Sequence, residues 1–211
     1  MSRPFLGGVC FITGRHPKHS PVEQAVMAMK GGIRWVQLRM KDSSRKEVYR
    51  AALFLKEAAD SFGAVLVIND YPDIALACGA GGVHLGQDDL PIEAVRPLVG
   101  GEMLIGVSTH SEAEARAASE AGAGYIGFGP VFDTATKDAG PPKGAAALAG
   151  IKKISRVPVT AIGGITAASI PGVLEAGADA VAISGALLAG DPFENSRQIV
   201  RLIEMWYGSG L

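Results

Sequence analysis

"ITGRHPKHSP", residues 12–21, is the stretch that decides the fold. An apolar run, "GVCFITG" (8–14), leads into it and an amphipathic segment follows, so it is the first turn from a strand into a helix. In an open, doubly wound parallel sheet that turn normally carries G-x-G-x-x-G, whose glycines let the backbone close on a pyrophosphate. Here one glycine is followed by Arg, His, Pro and Lys. The open sheet loses its main signature, and a closed barrel becomes the better reading for repeated strand–helix units.

The repetition runs the length of the chain. Candidate strands are "GVCFITG" (8–14), "WVQLRM" (35–40), "AVLVIND" (64–70), "GVHLG" (82–86), "MLIGVST" (103–109), "YIGFGPVF" (125–132), "VPVTAIGG" (157–164) and "AVAISGA" (180–186). Each is rich in Val, Ile and Leu, as strands buried on both faces are. Helical patterns separate them. In "SRKEVYRAALFLKEAADSFG", Ser43 or Ser44 caps the start, Glu47 supports the first turn and Gly63 ends it. "SEAEARAASEAG" (111–122) and "ASIPGVLEAG" (168–177) also close on Gly, and the last helix has Asp191 as cap with Pro192 at its first position. The long gap 133–156 reads as a Gly/Pro-rich loop over a site, then a helix. The fold class expected is α/β, a single-domain (β/α)8 TIM barrel over 1–211.

The 211 residues are 48% hydrophobic and 19% charged, with a net charge of −1, which is enough for one substantial core. Bulk charge advertises neither a nucleic-acid nor a membrane partner. Cys10 and Cys78 have no paired spacing and read as reduced buried thiols. "MSRPFLGG" has no apolar signal core, and no run approaches the ~18 apolar residues of a membrane span. A soluble cytoplasmic protein is expected. Whether identical copies assemble is left open.

Barrel enzymes keep their chemistry at the C-terminal ends of the strands, and the polar residues here collect there. The second strand alternates: Trp35, Gln37, Arg39 and Lys41 share one face, while Val36, Leu38 and Met40 share the other. The third ends in Asn69-Asp70, and the fourth runs into "HLGQDDLP" with Asp88 and Asp89. The fifth ends in Ser108, Thr109 and His110, and the sixth runs into Thr134, Thr136 and Lys137. Two carboxylates side by side repel unless a cation lies between them, and oxygen ligands shared with substrate phosphates suit Mg²⁺. Arg39, Lys41 and Lys137 with Asp70 and one of Asp88 or Asp89 therefore fit a diphosphate. The bland alternative is a set of surface ion pairs at loop mouths. A second, glycine-lined subsite, "AIGGITAAS" after strand seven and "ISGA" after strand eight, has the usual place of a phosphate in this fold. His16 and His19 read as a solvated loop and His84 as a packed barrel histidine. His110 either caps a helix or lines the site. No Ser-His-Asp, Cys-His or Walker pattern is present.

At these residues the chain resembles the thiamine phosphate synthase family. The matching stretches are "VQLRMKD" (36–42), "VINDYPDIALACGAGGVHLGQDDLP" (67–91), "IGVSTHS" (105–111), "GYIGFGPVFDTATK" (124–137), "PVTAIGGIT" (158–166) and "AGADAVAIS" (176–184), in order over roughly 8–200. The resemblance implies a (β/α)8 barrel that joins hydroxymethylpyrimidine diphosphate to a methylthiazole phosphate, releasing diphosphate. It implies that Gln37, Arg39, Lys41, Asn69, Ser108 and Lys137 hold the pyrimidine diphosphate and that Asp70 and Asp89 bind Mg²⁺. Arg39, Lys41 and Lys137 would stabilise the departing charge. Thr134, Ala135, Thr136 and Gly164 would hold the thiazole phosphate, joined by Ser184 and Gly185. The match is one residue short just before "SGAL", which leaves Ile183-Ser184 as the alternative pair. In the first strand, the family's frequent Tyr and acidic residue are replaced by "VCFITG".

Three other readings compete. A related tautomerase isomerises the thiazole without coupling; it lacks the intact metal and diphosphate set and carries a His where this chain has Pro130. Other phosphate-binding barrels, such as sugar-phosphate isomerases, share the glycines after strands seven and eight but would not need Arg39, Lys41, Asp70 and Asp89 together. The motifs alone do not separate a synthase from a non-catalytic barrel that binds a phosphate ligand.

Overall fold

The computed structural model describes residues 8–134 and 140–208. Eight parallel strands close into a barrel in sequence order: β1 (Gly8–Ile12), β2 (Trp35–Leu38), β3 (Val65–Asn69), β4 (Gly82–Leu85), β5 (Leu104–Thr109), β6 (Tyr125–Phe128), β7 (Val159–Ile162) and β8 (Ala180–Ile183), with β8 pairing back to β1. Around them run α1 (Pro21–Lys30), α2 (Arg45–Phe62), α3 (Pro72–Cys78), α4 (Ile92–Val99), α5 (Glu112–Glu120), α6 (Gly144–Ile154), α7 (Ile170–Glu175), α8 (Gly185–Leu188) and α9 (Pro192–Gly208).

Period-two alternation sorts the strand side chains into two cores. Val9, Phe11, Val36, Leu38, Leu66, Ile68, Val83, Leu85, Ile105, Ile126 and Val181 point outward and pack under the helices. Cys10, Ile12, Trp35, Val67, Leu104, Tyr125, Ala180 and Ala182 point inward and fill the lower barrel. Burying each large outward aliphatic contributes roughly 1.5–3 kcal/mol; truncating fully buried Leu38 to Ala would cost about 2–5 kcal/mol.

Local signals place the helices. Ser44 caps α2 in a capping box with Glu47, and Gly63 ends it in a left-handed conformation. Ser20 and Glu23 form the same box on α1, and Ser111 caps α5. Asp191 Oδ1 accepts from the backbone N–H groups of Phe193 and Glu194 at the start of α9. The strands stop earlier than the apolar runs do. Val131 is buried and packs with the helix-facing core, but it lies beyond β6. The expected helix in the second half of 133–156 is α6. Cys10 and Cys78 are unpaired and buried. No helix among the described residues is long and apolar enough to cross a membrane.

Candidate active site

The mouth of the barrel opens into a cavity of about 400 Å³. Gln37, Arg39, Asn69, Ser108, Thr134, Gly164, Ser184 and Gly185 all line it. A broader outer cleft of about 1240 Å³, between the loops after β1 and β2, shares Arg39, Ser184 and Gly185 with it and adds Lys41. Exposure grades along β2 and its loop as the alternation implies: Gln37 is 3% exposed, Arg39 half-buried and Lys41 exposed. The deepest layer is amide. Gln37 Nε2 donates to Asn69 Oδ1 at 3.0 Å.

Above it sits the charge. Burial holds the Arg39 guanidinium below its ordinary pKa, opposed by Asp70 and Asp42. Asp70 is half-buried beside Asp89. Burial, followed by the neighbouring Asp89 carboxyl, raises the Asp70 carboxyl to about 6, against the pull of Arg39 and Lys41. Two carboxyls pressed together at this cost are a ready site for a divalent cation. Their hard oxygens, with substrate oxygens completing the shell, suit a hard divalent cation better than a softer metal. Among the described residues no group of three or more His, Cys, Asp and Glu could hold a metal. A cation held by one or two carboxylates and substrate phosphates needs no such group. Asp89 also accepts from the N–H of Gly86 at 2.6 Å, which fixes its loop, while Asp88 is exposed.

Asp70 is the one non-glycine residue with positive φ among the described residues, at 68°. Asp tolerates this left-handed conformation better than most residues. Its N–H is tied to the His84 carbonyl at 2.9 Å. The opposite wall is glycine-built: Gly163 and Gly164 have φ of 97° and 65°, and a Cβ on Gly164 would lie 2.3 Å from the Asp133 carbonyl oxygen. Only glycine fits there, beside Thr134 and the cis Gly129–Pro130 peptide.

Ala135, Thr136 and Lys137 lie outside the described residues. Sequence reasoning missed Thr13. This fully buried side chain clamps the end of β2: its Oγ1 accepts from Arg39 N at 2.8 Å and donates to Arg39 O at 3.1 Å. Gln24 on α1 ties down the loop after β1 in the same way, through Gly14 and the His19 carbonyl. His84 bridges Tyr125 and Ser108, and His110 lines the cavity, its Nδ1–H donating to Gly129 O at 2.7 Å. A lone polar residue inside a buried run was the available signal for Thr13, and His84 is the packed barrel histidine expected from the sequence.

A (β/α)8 barrel with an acidic pair facing cations at its mouth defines an enzyme of the phosphate-handling kind. The family model for thiamine monophosphate synthase matches residues 9–187, and the chain belongs to that family. It is 40% identical over 205 residues to the thiamine-phosphate synthase of Chlorobium limicola, covering 96% of this chain and 95% of that one. It is 45% identical over 196 residues to a putative thiamine-phosphate synthase of Geobacter sulfurreducens, covering 91% and 92%. Among solved structures, thiamine phosphate pyrophosphorylase from Pyrococcus furiosus superposes with a TM-score of 0.86 at 32% identity, covering 93% of this chain and 95% of that one.

Proposed function

We propose that this chain is a thiamine-phosphate synthase, a transferase that couples 4-amino-2-methyl-5-hydroxymethylpyrimidine diphosphate with 4-methyl-5-(2-phosphoethyl)thiazole and releases diphosphate. The observation that carries the reading is the stacking of an amide layer, Gln37–Asn69, beneath a charged layer, Arg39 with Asp70 and Asp89. A neutral heteroaromatic ring needs the first layer and its diphosphate needs the second.

Charge dictates the roles. An electron-rich aminopyrimidine can expel its benzylic diphosphate and leave a stabilised carbocation. Negative charge then grows on the departing oxygens, where Arg39, Lys41 and Lys137 are assigned. Asp70 and Asp89 would hold Mg²⁺, which when bound supplies further neutralisation of the diphosphate. Thr134, Ala135, Thr136 and Gly164, with Ser184 and Gly185, would hold the thiazole phosphate so that the ring nitrogen faces the cationic carbon. Gln37 and Asn69 would orient the pyrimidine end, and Ser108 would donate a hydrogen bond to the diphosphate. No general base is required. The proposed setting is the cytoplasm, where unpaired thiols such as Cys10 and Cys78 stay reduced.

The test is product formation from the two purified substrates, with and without EDTA. Thiamine phosphate formed only with Mg²⁺ supports the reading. Isomerised thiazole without coupling would favour a tautomerase, and binding without product a ligand sensor. Pro130, which lines the cavity where the tautomerase carries His, weighs against the former. Lys137→Ala is expected to lose about 10²–10³ in turnover; near-normal turnover would remove Lys137 from its assigned role.

A further inference from the structure

We propose that Tyr125 and His84 form a polarity relay that fixes Ser108 as a hydrogen-bond donor toward the diphosphate-bearing substrate. The inference rests on the proposed function for the identity of the ligand, but the relay itself is a property of the ligand-free barrel.

Three side chains from adjacent strands meet under the cavity. Tyr125 on β6 places its hydroxyl 2.9 Å from His84 Nδ1 on β4, and His84 Nε2 is 2.9 Å from Ser108 Oγ on β5. Two glycines make room for them. A Cβ on Gly106 would stand 2.1 Å from Tyr125 Cζ, and one on Gly127 would stand 3.3 Å from His84 Cε1. Tyr125 is 2% exposed, and burial holds its phenol well above its ordinary pKa, so the O–H keeps its proton. Among the described residues that hydroxyl has no hydrogen-bond partner besides Nδ1.

The direction of each bond follows by elimination. A buried O–H with one neighbour must donate to it or bear the full desolvation cost of an unsatisfied donor. Nδ1 therefore accepts and carries no hydrogen. A neutral ring then has its proton on Nε2, which donates to Ser108 Oγ. In the opposite tautomer Nδ1–H would donate to the phenol oxygen and leave the buried phenol hydrogen without an acceptor, and a doubly protonated ring would do the same. With Oγ already accepting, the Ser108 hydrogen is left to point into the cavity, which this residue lines. A serine hydroxyl is ordinarily a free rotor that can offer an anion either a hydrogen or a repelling lone pair. The relay removes the second choice before the ligand arrives, so the hydroxyl needs no reordering when the ligand binds. Tyr125 and His84 are thus positioning residues, with Ser108 the group that would touch substrate.

The test reads the ring first and the kinetics second. In ¹⁵N NMR of the ligand-free wild-type protein, with His84 assigned by its loss in His84→Gln, the expected pattern is a protonated Nε2 and an unprotonated Nδ1. A ring protonated at Nδ1 would overturn the relay whatever the enzyme does. With both substrates and Mg²⁺, Tyr125→Phe frees Nδ1 to take the hydrogen, and Ser108 then donates to the ring instead of to the ligand. KM for the pyrimidine diphosphate is expected to rise roughly tenfold, the size of one hydrogen bond to a charged group, with a much smaller change in kcat. Ser108→Ala should cause a similar rise alone and add little in the Tyr125→Phe background. Two effects that simply multiply would also overturn the relay. If wild-type protein made no thiamine phosphate, the proposed function would fail, while the ring measurement would still decide the relay.

Discussion

Gln37 Nε2 donates to Asn69 Oδ1 at 3.0 Å across β2 and β3, and that one bond sets the polarity of the cavity floor. It leaves Gln37 Oε1 as an acceptor and Asn69 Nδ2 as a donor for a ligand in the cavity both residues line. An aminopyrimidine offers the complement, an exocyclic N–H beside a ring nitrogen. Asn69→Asp replaces the donor with an acceptor at nearly constant shape. It should raise KM for the pyrimidine diphosphate by about 10–100-fold, because a buried polar mismatch costs about 1–3 kcal/mol. Steady-state kinetics would show it, and an unchanged KM would mean that the ring binds elsewhere.

The raised Asp70 carboxyl predicts an inverted response to pH. Its folded pKa of about 6 lies above the ordinary 3.8, so folding favours its protonated form. Metal-free protein should therefore gain stability as pH falls from about 6 toward 4, the reverse of a salt-bridged carboxylate. A cation must displace the shared proton, so metal affinity should fall by roughly tenfold per pH unit below about 6 and level off above it. Asp70→Asn suits the left-handed backbone at φ 68°. In EDTA at pH 7.5 it should melt higher than wild type, and Mg²⁺ should no longer shift its Tm. A lower Tm for Asp70→Asn in EDTA would show that the carboxylate is not strained by its neighbours.

The barrel and its charged mouth were legible because both are written locally. Alternation along residues 35–41 separated Gln37, Arg39 and Lys41 from Val36, Leu38 and Met40, and the serines before Glu47 and the Asp191 cap before Pro192 marked helix starts. Strand ends were overrun because hydrophobicity reports burial and not ladder pairing: Val131 is 1% exposed yet outside β6. The Thr13 clamp on Arg39 spans 26 residues, and the Tyr125–His84 bond spans 41. Such contacts depend on register around a closed sheet, which no local pattern encodes. Neither does the left-handed turn at Asp70, whose residue type merely permits it.

Register also explains a glycine that backbone conformation does not. Gly106 sits in a strand without positive φ, but Tyr125 occupies the space its side chain would take, with Cζ 2.1 Å from an added Cβ. Gly106→Ala should cost about 1–3 kcal/mol by overpacking, or roughly 3–10 °C in Tm for a chain of this size. The penalty should largely vanish in a Tyr125→Leu background, where the Cζ and hydroxyl are gone. Equal penalties in both backgrounds would place the cause in the backbone.

Asp179 supplies the control, because it acts at the other end of the barrel. Just before β8, its carboxylate accepts from Lys152 Nζ at 2.7 and 2.6 Å and from the N–H of Val159, the first residue of β7, at 2.7 Å. It thereby joins α6, β7 and β8 far from the catalytic mouth. The ion pair is more than a third exposed on both sides and contributes little by itself. The Val159 N–H is the larger stake, because an orphaned donor at a strand start must find water or go unpaired. Asp179→Ala should therefore cost about 1.5–3 kcal/mol, whereas Lys152→Met should cost under about 1 kcal/mol. Both variants should keep wild-type KM for both substrates. Chemical denaturation read beside kinetics separates the two roles: a KM that moved with Asp179→Ala while stability held would tie this end of the barrel to the site.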